Sequence, residues 1–580
     1  MSAMHIAVIR SVQNGKLYHS KLLRRSFRDD QGRVQKKTLA NLSHLPDAAI
    51  DLLKAHLAGR TLVDPSEAFD ILRSRAHGSV LAVLEAFRRL DLARLVASQP
   101  SPQRDLVCAM IAARILRPQT KLATARWWHA TTLPDCFDLR GASAEDLYGA
   151  MDWLLKRQHR IQAKLARRHF AQGGLVLLDL SSCYFEGAAC PLARYGHNRD
   201  GKQGKLQVNF GLLCDRHGRP VAVNVFEGNV GDPRTVLPAV RQLQRRFGLS
   251  RVVLVGDRGM LVQARLAELR KLDGIDWITA LRSGAIRKLE RAGQLEQSDE
   301  VGLFEIVQHP DYPGERLVAC RNPRLAAQRA HTRESLLQAT EQLLAPIRAS
   351  VAAGRLQGAA QIGLRVGAVL NRYKVRKHFV CQIGAARFDY RRDQHRIDHE
   401  TALDGVYVIR TSLAAQQLPA AECVRSYKAL TRVERAFRTL KTADLQVRPV
   451  HHRLADRVRA HLLLCMLAYY VEWHMREAWR PLLYADDELA EQARTRDPVA
   501  PAEPSASARH QKATRRAADG TPLHSFRTLL EDLARVVRND CRAKGAQGPR
   551  PCEFELDTQL NAEQARALEL LKGIQIETRA

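Results

Sequence analysis

No stretch of this chain reaches the roughly 18 consecutive apolar residues that a membrane-spanning helix needs. The longest, around Leu462 to Val471, is too short. Met1 to Arg10 has no charged segment followed by an apolar one, and neither a lipidation signal nor a basic amphipathic anchor is found. Secretion and membrane attachment are therefore not expected. The eleven cysteines are scattered at irregular spacings with no C-x-x-C pair. That pattern fits reduced thiols in the cytoplasm better than a disulfide framework or a structural zinc site. A phosphate-binding G-x-x-x-x-G-K-[ST] loop, a G-x-S-x-G nucleophile elbow and an H-E-x-x-H pair are missing too, so three common enzyme chemistries drop out. No tandem repeat is present. Acid is scarce relative to base: 61 Asp and Glu stand against 91 Lys and Arg, a net charge of +30.

That excess has a consequence, because uncompensated like charge destabilises a compact state. A polyanion is the simplest source of the missing counter-charge, and nucleic acid is the commonest one. With 580 residues and a 45% apolar fraction, the chain can bury a large core and should form several domains.

Seven segments are expected from the pattern. Residues 1–63 alternate apolar and polar around Asn14-Gly15 and predict a β-hairpin region. Residues 64–171 turn helical, with Val80, Val83, Leu84 and Phe87 three or four apart, and are expected to bind DNA. Trp127-Trp128-His129 lies there among basic residues; base stacking is one reading, and a helical core is the one favoured. Over 172–284 the order becomes three strands, helix, strand, helix, strand, which implies a mixed sheet covered by helices. A β-rich insertion is expected over 285–424, further helices over 425–480, a flexible basic linker over 481–525 and a helical tail over 526–580.

Three carboxylates stand out by placement. Asp179 is expected at the end of the first buried strand (Leu177-Leu-Asp-Leu-Ser-Ser), and Asp257 at the end of the fourth (Val253-Leu-Val-Gly-Asp-Arg-Gly). A carboxylate in an apolar strand is costly unless paired or metal-bound, and strand ends face the crevice where α/β sheets hold ligands. The third, Glu434, lies in a run expected to form one helix from Tyr427 to Lys441. On that helix Tyr427, Glu434, Arg438 and Lys441 fall within about 40° of Tyr427, while Val433, Ala436, Phe437 and Leu440 turn mostly to the core. Converging carboxylates suit hard divalent cations, Mg²⁺ or Mn²⁺. Two such ions can serve phosphodiester transfer, with Arg438 and Lys441 holding phosphate. His451-His452 is tempting as a ligand pair, but adjacent residues point apart, so a structural or phosphate-contacting role is expected instead.

At these residues the chain resembles bacterial insertion-sequence transposases of the DDE class with a β-rich insertion (the insertion sequence four superfamily). Within it, the chain is most similar to the branch of insertion sequence sixteen-thirty-four. Asp179 matches that family's first aspartate, and Asp257-Arg258-Gly259 its Asp-x-Gly. Tyr427, Glu434 and Lys441 fall on the helix signature Tyr-(x2)-Arg-(x3)-Glu-(x6)-Lys. The arginine position holds Leu430, leaving Arg432, Arg435 and Arg438 as candidate replacements. Tyr195-Gly-His-Asn-Arg-Asp200, Val225-Phe-Glu-Gly-Asn229 and Arg448-Pro-Val-His-His452 are similar to stretches of such proteins as well.

The resemblance implies an α/β ribonuclease-H-like core that holds two Mg²⁺ or Mn²⁺ ions on Asp179, Asp257 and Glu434. It implies cutting at the terminal inverted repeats and joining to target DNA, by a homodimer in a bacterial cytoplasm at the nucleoid. Tyr407, before the glutamate helix, is the candidate to stack on a flipped base, beside its plainer reading as a strand-core tyrosine. A nuclease or resolvase on the same fold, or a DNA-binding derivative without catalysis, are the competing readings.

Overall fold

The computed structural model describes residues 3–13, 16–60, 68–295, 302–442, 444–486, 504–544 and 553–576. The chain divides into two compact units, Met1–Arg75 with Val537–Thr558, and Ala76–Val536 with Gln559–Ala580.

The smaller unit opens with the expected antiparallel pair, β1 (Ala3–Gln13) and β2 (Lys16–Arg28), in register to Gln13↔Lys16, and β3 (Val34–Asn41) extends it to three strands. The expected Asn14-Gly15 turn lies outside the described residues. A helix, Asp47–Leu57, follows. Next comes β4 (Phe69–Ala76), in a stretch where helix was expected.

The larger unit is built on an eight-stranded mixed sheet. Its first strands are β5 (Gly174–Tyr184), β6 (Gln207–Cys214), β7 (Pro220–Glu227), β8 (Val252–Gly256) and β9 (Ile275–Ala280). They follow the expected order, with helix Pro233–Arg241 before β8 and helix Gln263–Leu269 after it. Strands β5, β6 and β7 form an antiparallel meander, whereas β8 runs parallel to both β5 and β9. β8 (Val-Val-Leu-Val-Gly) is buried at every position, as a parallel strand covered on both faces must be.

The segment expected to be a β-rich insertion is mainly helical. Strands β10 (Gly302–Val307), β11 (Arg316–Arg321) and, at its end, β14 (Val406–Thr411) join the main sheet, giving the order β10-β11-β14-β9-β8-β5-β6-β7. Between β11 and β14 come helices Pro323–Ala352 and Ala359–Arg372, one hairpin of β12 (Phe379–Ile383) and β13 (Phe388–Arg392), and helix Gln394–Thr401. Leu337, Leu344, Ile362, Val366, Phe379 and Phe388 give these pieces a small core of their own. The Ala-, Leu- and Arg-rich run of the 30-residue helix favours helix strongly; its short flanking strands gave the β impression.

Helices Gly78–Arg89, Pro102–Leu116, Ala144–Leu155 and Gln158–His169 share one continuous apolar core with the sheet. Trp128 is fully buried in it, so the core reading of that tryptophan holds. The deepest helix is Ala455–Ala478, buried on nearly all faces from Val458 to Met475. It carries the longest apolar run, yet no described helix is long and apolar enough to cross a membrane. A helix apolar all round belongs in a core.

The expected flexible linker is partly folded. Residues 487–503 lie outside the description, but helix Ala506–Thr514 is capped by Ser505, whose hydroxyl accepts from the Ala508 N–H (2.9 Å) and donates to Asp486 (2.6 Å). The tail is not only helical either. Helices Phe526–Ala534 and Ala562–Lys572 dock in the larger unit, where Trp479 donates to the Ala567 carbonyl (2.8 Å) and its ring lies 5.5 Å from that of Phe526. Between them, β15 (Val537–Ala543) pairs with β4 on one side and β16 (Glu553–Asp557) on the other, in the smaller unit. There Arg75 is bonded to Asp540 (2.5 Å) and Arg538 to Asp557 (2.7 Å).

Leu464, fully buried at the centre of the deepest helix, offers a direct test of this core. Leu464→Ala is expected to cost about 2–5 kcal/mol, the sum of lost transfer energy and a residual cavity. Chemical denaturation of the larger unit measures it, and a loss under about 1 kcal/mol would contradict the packing described.

Candidate active site

Register brings the first two carboxylates together. β5 and β8 pair in parallel from Gly174↔Val252 to Leu178↔Gly256. The next residue along the chain in each case is an aspartate, Asp179 on β5 and Asp257 just past the end of β8, so the register sets the two side by side. β5 itself runs on to Tyr184, paired with β6 alone. Asp179 therefore ends the parallel ladder and not the strand. Its Oδ1 accepts from the Leu180 N–H (2.7 Å), and Asp257 Oδ2 accepts from the Gly259 N–H (3.0 Å). Gly259 suits that approach: a Cβ there would sit tightly against Asp257 Oδ2, at 3.1 Å, and in ordinary contact with Asp232 Oδ2, at 3.8 Å.

The third carboxylate comes from helix Leu430–Lys441. Val433, Ala436, Phe437 and Leu440 are its buried face, and the Phe437 ring meets that of Phe210 on β6 edge-on, 5.2 Å between centroids. This packing seats the helix on the meander and leaves Glu434 on the wall of a pocket of about 550 Å³, shared with Asp179, Asp257 and Tyr427.

The single helix expected from Tyr427 to Lys441 is broken. Helix Ala420–Lys428 ends before Ala429, and the second helix begins at Leu430. Tyr427 nevertheless reaches the pocket. Burial, reinforced by Asp257, raises its phenol to about 12, so it stays protonated and able to donate.

The expected cations behave differently. Lys441 Nζ donates to Asp200 at 2.8 Å, with Arg448 on the same carboxylate, and both the lysine and the aspartate are buried. Arg432 packs against the turn at Gly218 and donates to the Arg216 carbonyl. Arg435 and Arg438 are exposed on the helix surface. None of these four is among the described residues that line the pocket, and Leu430 lines it at the signature's arginine position. Three residues that the sequence does not single out as site candidates do line it: Arg199, Asp232 and Lys428. Arg199 forms an ion pair with Asp232. Two of these adjoin stretches with family resemblance; Arg199 lies within Tyr195–Asp200, and Asp232 shortly follows Asn229.

Tyr407, on β14 opposite Cys320, is half-buried, 6.0 Å from the Lys428 ammonium. It lines a neighbouring basic cavity of about 890 Å³ with Tyr427, Arg258 and Arg329. His452 is an interior ring, 5.3 Å from that of His461, and burial with nearby Lys121 lowers it to about 4, so it stays neutral.

Electrostatics explain what the pocket lacks. Burial chiefly, then the charges of Asp257 and Glu434, push Asp179 up to about 7, even against its backbone hydrogen bond and Arg199. No ion-pair partner is found for Asp179, Asp257 or Glu434 among the described residues. No group of three or more His, Cys, Asp or Glu there already stands in ion-holding geometry. The donor set still fits a hard divalent ion: all-oxygen, anionic and short of positive charge.

Residues 184–471 match the model of the family described as the Transposase DDE domain. It is a DDE-type DNA transposase. Asp257 and Glu434 fall inside the matched span, and Asp179 just ahead of it. As a transposase of this type it is a metal-dependent DNA-cutting enzyme, and its core is the ribonuclease-H-like mixed sheet described above. No curated protein matches the chain in sequence. Among solved structures, the cryo-EM structure of the piggyBac transposase synaptic complex with hairpin DNA aligns over 79% of this chain and 76% of that one, at 9% identity and a TM-score of 0.34.

The raised Asp179 carries a pH consequence. Its folded-state value, about 7, lies above the ordinary 3.8, so in that window the native state holds a proton the unfolded state has lost, and stability falls as pH rises through it. Without divalent ions, Asp179→Asn is expected to melt a few degrees above the native transposase at pH 8, with the gap closing towards pH 4. Differential scanning fluorimetry measures it; equal melting at pH 8 would contradict the burial described.

Proposed function

We propose that this transposase cuts and joins DNA at the ends of an insertion sequence, with Asp179, Asp257 and Glu434 as the carboxylates that hold two Mg²⁺ or Mn²⁺ ions. The observation that carries this reading is the register that follows Leu178↔Gly256, which sets two aspartates side by side facing a glutamate in one pocket. Bound there, divalent ions would supply Lewis-acid stabilisation of the attacking and leaving oxygens. The chain's own residues supply the rest. The three carboxylates fix where phosphodiester oxygens approach, the protonated Tyr427 donates towards phosphate, and the apolar wall at Leu430 and Phe437 limits water.

Partners follow from the same reading. The net charge of +30 suits long tracts of DNA, both the terminal inverted repeats and the target. The helical region before β5 and the N-terminal strands are the proposed binding surfaces, with Arg432, Arg435 and Arg438 contacting DNA beyond the pocket and Tyr407 beside it. Synapsis of two ends calls for a homodimer. The helix signature supports membership of the insertion sequence four superfamily, in the branch of insertion sequence sixteen-thirty-four, and a bacterial cytoplasm at the nucleoid as the place of action.

Asp179→Asn, Asp257→Asn and Glu434→Gln are each expected to lower Mg²⁺-dependent cleavage and strand joining by ~10³-fold or more, since residues of one catalytic unit fail together. Binding to the element end, read by gel shift, should stay within about threefold. Full cleavage by any one of the three would remove that residue from the site, and cleavage without joined product would favour a nuclease.

A further inference from the structure

The helix signature leaves this active site without a phosphate-holding arginine, because Leu430 occupies that position and Lys441 is spent on Asp200. We infer that Arg199, from the irregular segment between β5 and β6, supplies the missing cation and contacts a non-bridging oxygen of the reacting phosphate. The inference rests on the carboxylate site proposed above.

Four observations carry it. Arg199 lines the same pocket as Asp179, Asp257 and Glu434. Of its guanidinium, only Nη2 is engaged, with Asp232, so Nε and Nη1 have no partner among the described residues. Its side chain is about one-fifth exposed, open to the pocket yet largely shielded from bulk water, where a charge-assisted bond to phosphate is strong. Lastly, its backbone is anchored. The Arg199 N–H donates to Ser182 Oγ on β5 (3.2 Å). The next residue, Asp200, is bound by the Tyr184 N–H (2.9 Å), Lys441 (2.8 Å) and Arg448. Lys441, expected to hold phosphate itself, thus fixes the segment that presents Arg199. Lys428 also lines the pocket, but its ammonium lies over the Tyr407 ring.

In the cutting step a water oxygen bonds to phosphorus and the bond from phosphorus to the 3′ oxygen breaks. One water proton ends on the departing 3′ hydroxyl, and the other leaves the new 5′ phosphate for solvent. Joining repeats this with the 3′ hydroxyl as attacker, its proton passing to the oxygen displaced from the target. Arg199 moves no proton in either step. Its fork neutralises charge gathering on one non-bridging oxygen, with Asp232 keeping the guanidinium plane oriented.

The experiment is cleavage, with Mg²⁺, of element-end duplexes carrying a single Rp or Sp phosphorothioate at the scissile position. Arg199→Gln should slow cleavage of the all-oxygen substrate by about 10²–10³-fold, leave duplex binding within about threefold, and erase the rate penalty of one stereoisomer only. Arg199→Lys should be intermediate and covers the case in which the glutamine variant fails to fold. Asp232→Asn should keep the stereoisomer penalty, because it leaves the guanidinium in place. Unchanged penalties in both Arg199 variants would overturn the inference. So would Asp232→Asn reproducing every effect of Arg199→Gln, which would mark the pair as structural, or loss of the penalty in Lys428→Ala instead. If Asp179→Asn cleaves as the native enzyme does, the carboxylate reading itself falls, and this inference with it.

Discussion

Asp179, Asp257 and Glu434 share a pocket without an ion-pair partner among the described residues, so they repel one another, the two aspartates while partly stripped of water. Such an arrangement costs free energy in the empty protein, and the cost shows in the raised Asp179. Proteins tolerate that kind of frustration where a ligand relieves it. A divalent cation is the ligand whose charge and hardness match three carboxylates facing a nucleic acid. On the function proposed above, the catalytic chemistry and the cost of holding these carboxylates together share one electrostatic cause.

Holding repelling groups in place demands a rigid frame, and the larger unit supplies one at three levels. The parallel ladder of β5 and β8 is apolar and buried, so a register slip would bury the aspartates or expose the strands. Helix Leu430–Lys441 is fixed by its apolar face against the meander. The largely buried helix Ala455–Ala478 packs against both the glutamate helix and β7. The Lys441–Asp200–Arg448 cluster adds a polar clamp that joins the glutamate helix to the segment after β5. Breaking one partner of a buried charge cluster is far costlier than the cluster's net worth, and this makes Lys441 a structural residue of the site as well as a member of the signature.

Much of this was legible in the sequence because it is local. Alternation and apolar runs predicted the strand and helix order from β5 to β9, and the spacing of apolar residues predicted which face of the glutamate helix is buried. The placement of Asp179 and Asp257 beside buried strands pointed to one crevice. What escaped depends on contacts distant in sequence, which periodicity does not encode. β4 escapes a reading by local pattern because its partner, β15, lies at the other end of the chain. The break at Ala429 left no proline or glycine to mark it. Lys441 was assigned to phosphate because Asp200, its counter-charge, sits in an irregular segment without a secondary-structure pattern. Arg199 escapes for the same reason, although it lies within a stretch that resembles transposases, and Asp232 stands at the start of helix Pro233–Arg241, where an aspartate reads as a cap.

The most direct test of the central claim is anomalous diffraction from crystals of the metal-free transposase soaked in Mn²⁺. The account predicts manganese peaks bounded by oxygens of Asp179 and Asp257, one of them also within reach of Glu434. Peaks confined to other carboxylates, or an empty pocket in crystals saturated with Mn²⁺, would contradict it.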